Sequence, residues 1–160
     1  APPRQVWSAL VDFPGYQNWN PYVQIRGVAG NRSKIEWSLG STVLKRRIWT
    51  TALITQFDEP VALAWSFGSR GIFAVEECFS LEGSATGTRL QHKARCMGVA
   101  SILGAGLIRK KIQEIVATAD KYLSRYFERR AKSSKRVAPG APAARAQKSK
   151  TRRQTRKRHR

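Results

Sequence analysis

The sequence predicts an α+β domain in which a curved antiparallel sheet of about six strands wraps around one long C-terminal helix. Three observations support this prediction. Two short helical segments open the chain, alternating apolar residues recur in six segments between residues 23 and 96, and a helical apolar stripe follows from about 100 to 130. A chain of 160 residues has room for one such domain and a tail.

The opening segment predicts a helix followed by a short turn. Val6, Leu10 and Phe13 lie at helical spacing after Pro2 and Pro3, and a helix tolerates proline in its first turn. Residues 14–22 are rich in proline, glycine, asparagine and aromatic side chains. They predict a turn or a helical stub that ends before Pro21, since a residue preceding proline avoids helical geometry.

Six strand segments follow, over residues 23–25, 34–39, 44–57, 61–67, 73–81 and 88–96. In the fourth segment we expect Val61, Leu63, Trp65 and Phe67 to share the buried face. The third segment is ambiguous because two apolar sets compete for the buried face, and a β-bulge would reconcile them. The two sets are Ile48, Ala52 and Ile54 against Trp49, Leu53 and Phe57.

A long amphipathic helix is predicted from about Ala100 to Arg130. Its apolar stripe is formed by Ile108, Ile112, Ile115, Val116, Ala119, Tyr122, Leu123, Tyr126 and Phe127, and its opposite side carries Lys110, Lys111, Lys121 and Arg125. We therefore predict a domain over residues 1–130. Residues 131–160 contain Pro139, Gly140 and Pro142 and almost no large aliphatic side chain, which predicts a disordered tail.

Charge divides the chain unevenly. The net charge is +20, and all 10 acidic residues lie at or before Glu128, so the tail is purely basic and a uniformly basic fold is excluded. Such a tail would bind nucleic acid or anionic lipid through counterion release, although it lacks aromatic residues for base stacking, and a merely solvated tail is the alternative. The predicted polyanion-binding residues are Lys148, Lys150, Arg152, Arg153, Arg156, Lys157, Arg158 and Arg160.

Several classes of protein and site find no support in the sequence. No apolar run approaches the length of a transmembrane helix, and no secretory signal is visible, which favours a cytoplasmic protein. Cys78 and Cys96 fall on opposite strand faces and out of register, so we expect free thiols and no metal site. No phosphate-binding glycine loop and no zinc-protease or hydrolase motif occurs, and we expect no cofactor.

The local sequence resembles a known family. The opening APPRQVWSALVDFPGYQNWNPYV resembles that of START-like, SRPBCC-type domains of the polyketide cyclase/dehydrase group. The later segments LAWSF, GIFAVEECFSL and GTRLQHKARCMG resemble the strands of that family in order and spacing, so that the resemblance covers about residues 1–128. It implies a helix-grip fold with an apolar cavity between the concave face of the sheet and the long helix. Relatives bind lipids, sterols, polyketides, quinones or plant hormones, and some catalyse cyclisation or dehydration.

The sequence departs from the family pattern in two places, and both limit which family properties can be inferred for this chain. Family members carry a first strand before the position of the Ala-Pro-Pro with which this sequence starts. Either that strand is missing or it lies upstream of Ala1, and a missing strand would leave the edge of a neighbouring strand unpaired. Members of this group also often have histidine at the position of Glu77 and an acid at the position of Ala94. Any activity that depends on those side chains does not transfer.

Apolar and aromatic side chains on the inward strand faces are the predicted ligand contacts. They would supply contact area for a flat or aliphatic molecule, and the alternative is that they form only the core. The predicted residues are Trp37, Trp65, Phe67, Phe79 and Leu90.

Glu77 and His92 complete the predicted binding site. They are also the only candidates for catalytic residues, and the support for that role is weak. Two-residue steps from Phe79 and Leu90 place both on the inward face of hairpin-linked strands, opposite or diagonal to each other. They could orient a ligand or act as general base and acid. Alternatively they form a mutually satisfied pair, or a bulge turns Glu77 to solvent. If they pair, we expect His92 to stay protonated above its usual pKa of ~6.5.

These observations favour a protein that binds a small hydrophobic molecule, such as a lipid, a polyketide or an aromatic compound, in a cavity between sheet and helix. Two alternatives stay open: a cyclase or dehydratase that uses Glu77 and His92, and a nucleic-acid-associated protein that acts through its basic tail. A nucleic-acid-associated protein would be favoured if the basic residues of the long helix formed one stripe continuous with the tail. These residues are Arg109, Lys110, Lys111, Lys121 and Arg125.

Overall fold

A computed structural model describes residues 1–41, 46–69, 71–99 and 105–136 of the chain. Helix α1 and a short 3₁₀ helix precede six strands, and a long helix, α2, follows them, in the predicted order. The helices are α1 (Pro3–Val11), the 3₁₀ helix (Tyr16–Asn18) and α2 (Ala105–Arg136). The strands are β1 (Val23–Arg26), β2 (Lys34–Ser41), β3 (Arg46–Asp58), β4 (Ala62–Ser69), β5 (Phe73–Ser84) and β6 (Gly87–Met97).

The strands form one antiparallel meander in the order β1-β2-β3-β4-β5-β6, each pairing with its neighbour in sequence. In a meander, successive turns alternate between the two ends of the sheet. We call the end at which β1 begins the upper end; the β4–β5 turn and the connection from β6 to α2 lie there. The turns β1–β2, β3–β4 and β5–β6 lie at the lower end.

Strand β3 contains the bulge that its ambiguous pattern predicted. Its pairing with β4 shifts register between Ile54 and Gln56. Before the shift Ala52 and Ile54 are fully buried, and after it Phe57 packs against the core. The extra residue reverses which side chains face inward, so Ala52 and Ile54 of one apolar set are buried before the bulge and Phe57 of the other packs against the core after it.

The core lies between the concave face of the sheet and the two helices. Leu10 of α1, Trp65 of β4 and Leu123 of α2 belong to one buried cluster. Ala119, Leu123, Tyr126 and Phe127 of the predicted apolar stripe belong to or pack against this cluster. The basic residues predicted on the opposite side, Lys110, Lys111, Lys121 and Arg125, are exposed. Helix α2 packs mainly along β6, which brings its middle turns opposite the β5–β6 hairpin.

Two expectations about boundaries are wrong. Helix α2 continues to Arg136 rather than ending at Arg130, because residues 131–136 contain neither proline nor glycine and place positive charge at the helix C-terminus, where it is favourable. The predicted disordered tail therefore begins too early, and residues 137–160, with all the predicted polyanion-binding residues, lie outside the described residues. Val61 does not share the buried face of β4, because the strand begins one residue later and Val61 is 56% exposed in the preceding turn.

Candidate functional site

A buried histidine lies between two carboxylates at the junction of the sheet and α2. The Nε2 of His92 is 2.8 Å from Oε1 of Glu77, and its Nδ1 is 2.7 Å from Oδ1 of Asp120. The His92 side chain is 1% exposed, that of Glu77 15% and that of Asp120 42%. We refer to these three side chains, which come from β6, β5 and α2, as the His92 clamp.

Neighbouring aromatic side chains fix the geometry of the His92 clamp. The imidazole stacks on Phe79, its register partner on β5, with ring centroids 4.1 Å apart and an interplanar angle of 18°. The fully buried Trp65 donates from Nε1 to Oε2 of Glu77 at 2.9 Å. Both oxygens of this carboxylate therefore have a partner, which holds it in one orientation beside the imidazole.

The charge of His92 follows from these contacts. Burial lowers the pKa of His92, but hydrogen bonds to Asp120 and Glu77 and their negative charges outweigh it and raise the pKa to about 9. The imidazole is therefore protonated at neutral pH and donates to both carboxylates. This confirms the predicted contact of Glu77 with His92 and the predicted direction of the shift. The register makes that contact diagonal, because Glu77 is paired with Ala94 and His92 with Phe79.

Asp120 is the part of the clamp that the sequence analysis missed. Its carboxylate lies on the edge of the apolar stripe of α2, at i+4 from Val116 and three residues before Leu123. An acid in that position is the signal that could have identified it, since a charged side chain facing the core requires a partner.

The clamp joins α2 to the sheet, and it leaves little capacity for chemistry. Both ring nitrogens of His92 are used by carboxylates, so no free ring atom faces a substrate. A protonated imidazole also cannot act as a general base. Among the described side chains, no group of histidine, cysteine and carboxylate residues is arranged to hold a metal ion.

Tyr16 adds a buried hydroxyl beside the clamp. Burial raises the pKa of Tyr16 well above its usual value, and the negative charge of Glu77 raises it further. Its hydroxyl finds no hydrogen-bond partner among the described residues. The phenol is therefore neutral and remains available as a donor.

An apolar cavity of about 360 Å³ lies between the sheet and α2, at the upper end of β1 and β2. Its polar groups are mostly occupied: Oδ1 of Asn20 accepts from the backbone of Tyr22 and Val23, and Lys111 pairs with Glu114 at 3.1 Å. The cavity is lined by Asn20, Tyr22, Val23, Leu39, Gly40, Lys111, Glu114, Ile115, Thr118 and Ala119.

The sequence-predicted ligand contacts lie elsewhere. Trp65 and Phe79 are fully buried in the core, and Glu77 and His92 form the clamp. Trp37, Phe67 and Leu90 are half-buried and pack against the core, with Trp37 stacked on Phe67 at 4.7 Å. None of these residues lines the 360 Å³ cavity, and their role as ligand contacts stays a prediction. The sequence analysis missed the lining residues because a cavity wall and a packed core share the same apolar pattern.

A larger depression of about 560 Å³ separates α1 from the C-terminal half of α2. Gln5, Asp12 and Arg130 contribute to its lining together with other hydrophilic side chains. The smaller cavity beside the sheet is the better site for an apolar molecule.

The cysteines and the basic residues of α2 can also be placed. Cys78 and Cys96 are free thiols, as expected, and burial raises the pKa of Cys96 against the opposing charge of Arg109. Arg109 is exposed and lies near enough to Cys96 for its charge to act on the thiol. Lys110, Lys121 and Arg125 share the solvent face of α2, so the five basic residues do not form a single stripe.

A family model described as polyketide cyclase/dehydrase and lipid transport matches residues 1–139. The chain belongs to this family. The architecture of six antiparallel strands around a long C-terminal helix is the helix-grip fold expected from the sequence resemblance. Within the described part of the chain, no helix is long and apolar enough to cross a membrane.

Solved structures of low sequence identity share the fold of this family member. Protein NE0264 from Nitrosomonas europaea superimposes with a TM-score of 0.64 at 12% identity, covering 82% of this chain and 90% of that one. Protein Ms6760 from Mycobacterium smegmatis superimposes with a TM-score of 0.62 at 12% sequence identity, covering 80% of this chain and 85% of that one. A protein from Rhodobacter sphaeroides superimposes with a TM-score of 0.59 at 16% sequence identity, covering 84% of this chain and 87% of that one. No curated protein matches the chain.

Proposed function

We propose that this protein binds a small hydrophobic molecule in the cavity between β1, β2 and α2. The observation that carries the proposal is a cavity of about 360 Å³ with Val23, Leu39 and Ile115 in its walls. That volume falls within the range of ~300–1,000 Å³ typical of small-molecule sites. The family description, which includes lipid transport, supports the same class of ligand.

The polar residues of the cavity define the ligand further. Thr118 donates to the backbone of Glu114, and Glu114 pairs with Lys111, so the inner wall offers few unpaired polar atoms. The ligand that this lining suits has an apolar body and at most a few polar atoms, placed beside the Lys111–Glu114 pair at the rim.

A cyclase or dehydratase that uses Glu77 and His92 finds less support. Catalysis by these residues would require one carboxylate to leave the imidazole, since both ring nitrogens of His92 are engaged. The His92 clamp supports a binding domain better, because it fixes the helix that forms one wall of the cavity.

Filling the cavity tests the proposal. Ile115→Trp places a bulky ring in the wall, whereas Gln113→Trp places the same ring on the exposed side of α2 as a control. Equilibrium dialysis with the uncharged dye Nile red should show affinity at least about ten-fold weaker for Ile115→Trp and unchanged for Gln113→Trp. Undiminished dye binding by a folded Ile115→Trp variant would contradict the proposal.

Native mass spectrometry of the purified protein addresses the identity of the ligand. We expect a co-purified small molecule on the wild type and on Gln113→Trp, and its loss from Ile115→Trp. A molecule that remains bound to Ile115→Trp occupies a different site.

A further inference from the structure

Exposed apolar side chains converge at the upper end of the sheet. Ile72, in the β4–β5 turn, is 66% exposed, and Val99, just after β6, is 62% exposed. The N–H of Val99 donates to the carbonyl of Gly71, which holds the two segments together. Gly98 allows this approach, since it has a φ of +98° and a Cβ there would lie 2.5 Å from the carbonyl oxygen of Ile72. Ile72 and Val99 therefore lie on adjacent backbone segments at the upper end of the sheet.

Two further exposed apolar side chains lie at the cavity on the same end. Tyr22 lines the cavity and is partly exposed. Ile48 is the register partner of Leu39, so it lies on the same concave face as that cavity-lining residue, and it is 52% exposed. Four exposed apolar side chains thus lie at the upper end, Tyr22 and Ile48 on the β1–β3 side and Ile72 and Val99 on the β4–β6 side. We call Tyr22, Ile48, Ile72 and Val99 the apolar rim.

The rest of the described surface shows no comparable cluster. Its other exposed large hydrophobic residues are Val28, Leu53 and Val61. Val28 and Val61 lie in two separate lower-end turns, and Leu53 lies on the convex face of β3. Scattered residues of this kind are normal on a soluble surface, whereas a cluster indicates a contact.

Positive charge accompanies the apolar rim. Arg109, Lys110 and Lys111 are exposed in the first turns of α2, which starts at the upper end. In the described part of α2 before Asp120, Glu114 is the single acid, and it is paired with Lys111.

We propose that the upper end of the sheet docks on anionic phospholipid bilayers. The apolar rim enters the lipid interface, and the basic residues at the start of α2 meet the lipid phosphates. A nucleic acid would satisfy the basic residues but would leave Ile72 and Val99 without an apolar partner. This docking surface goes beyond the proposed ligand binding and does not depend on it, since Ile72 and Val99 are not among the residues that line the cavity.

Vesicle sedimentation with matched variants of the full chain tests the apolar part. Ile72→Ser/Val99→Ser should lower the partition coefficient on vesicles of equal parts phosphatidylcholine and phosphatidylglycerol by about ten-fold. The control Val28→Ser/Val61→Ser, with equally exposed residues at the lower end, should leave the coefficient within about two-fold. Equal behaviour of the two double variants would overturn the proposal.

A charge variant tests the basic part. Lys110→Gln should weaken binding to these vesicles by about five-fold, with no effect on pure phosphatidylcholine vesicles. Lys34→Gln, an exposed lysine on β2, is the control for loss of charge alone. If Lys110→Gln instead weakens binding to a DNA duplex and leaves vesicle binding unchanged, the surface is a nucleic-acid interface and the proposal is wrong.

The basic residues after Glu128 also attract anionic vesicles, so a position-specific measurement is needed. In a Cys78→Ser/Cys96→Ser background, a fluorophore is attached to Val99→Cys or, as a control, to Val61→Cys. Brominated lipids should quench the label at residue 99 and leave the label at residue 61 unaffected. Bound protein in which neither label is quenched, or both are quenched equally, would show attachment through the basic residues alone and would refute docking by the upper end.

Discussion

Raising the pH should remove most of the stabilisation that the His92 clamp gives to the native fold. Burial lowers the pKa of His92, but the bonds and charges of Asp120 and Glu77 raise it to about 9, whereas an imidazole in an unfolded chain titrates near ~6.5. Because the folded-state pKa is the higher one, the native state holds the proton more tightly. The stabilisation is therefore complete below about pH 6.5 and is lost as the pH rises through about 9.

The magnitude follows from the size of the pKa difference. A rise from ~6.5 to ~9, at about 1.4 kcal/mol per unit, corresponds to about 3–4 kcal/mol of unfolding free energy. That is a large fraction of the ~5–15 kcal/mol by which domains are usually stable. His92 is almost fully buried, so solvent screening reduces this value little.

Urea unfolding of the wild type and of His92→Gln between about pH 6 and about pH 9.5 measures the effect. The wild type should be more stable at the acidic end of this range, and the difference between the two proteins should fall by about 3 kcal/mol across it. Tyr16 and Cys96 also have raised pKa values, so their contributions to the stability of the fold also fall at alkaline pH. Both proteins contain these residues, and their contributions therefore cancel in the difference. A difference that stays constant over this range would refute the reasoning.

NMR titration locates the effect at His92. In a His159→Gln background, His92 is the single histidine, and its ring resonance should report a pKa of about 9. Asp120→Asn should lower that pKa by about one unit or more, while Glu114→Gln, an acid of α2 that pairs with Lys111 instead, should leave it unchanged. A midpoint at or below ~6.5 in the wild type would mean that the clamp does not form.

Three further predictions concern the clamp, the upper-end turn and the C-terminal residues. Glu77→Gln should lower the pKa of His92 by about one unit or more, because an amide carries no charge; an unchanged NMR titration would contradict this. Gly98→Ala should destabilise the fold by about 1–3 kcal/mol in urea unfolding, because of its positive φ and its contact with Ile72. Gly71→Ala, whose Cβ would meet nothing within 4 Å, should cost little, and equal losses would exclude this explanation. Deletion of residues 137–160 should leave the unfolding midpoint within about 2 °C but release the protein from heparin at lower salt. A larger fall in the midpoint would show that these residues pack on the domain.

The local sequence pattern was sufficient to predict the helices and strands and two of the three side chains of the clamp. Alternation identified the six strands, and two-residue steps from Phe79 and Leu90 brought Glu77 and His92 to one face, because the period of a strand allows no other outcome without a bulge. In β3 the two competing apolar sets even indicated the bulge itself. These are properties of neighbouring residues, and the sequence by itself determines them.

Long-range geometry decided the rest. Asp120 is separated from His92 by 28 positions, and the packing angle of α2 on β6 is what brings it to Nδ1. The cavity depends likewise on how far the upper end of β1 and β2 lies from α2, so Leu39 and Ile115 line it while Trp65 and Phe79 fill the core. An apolar pattern specifies that a side chain faces inward. Whether it then meets another side chain or empty space depends on the volumes of all its neighbours at once, and only the tertiary structure contains that information.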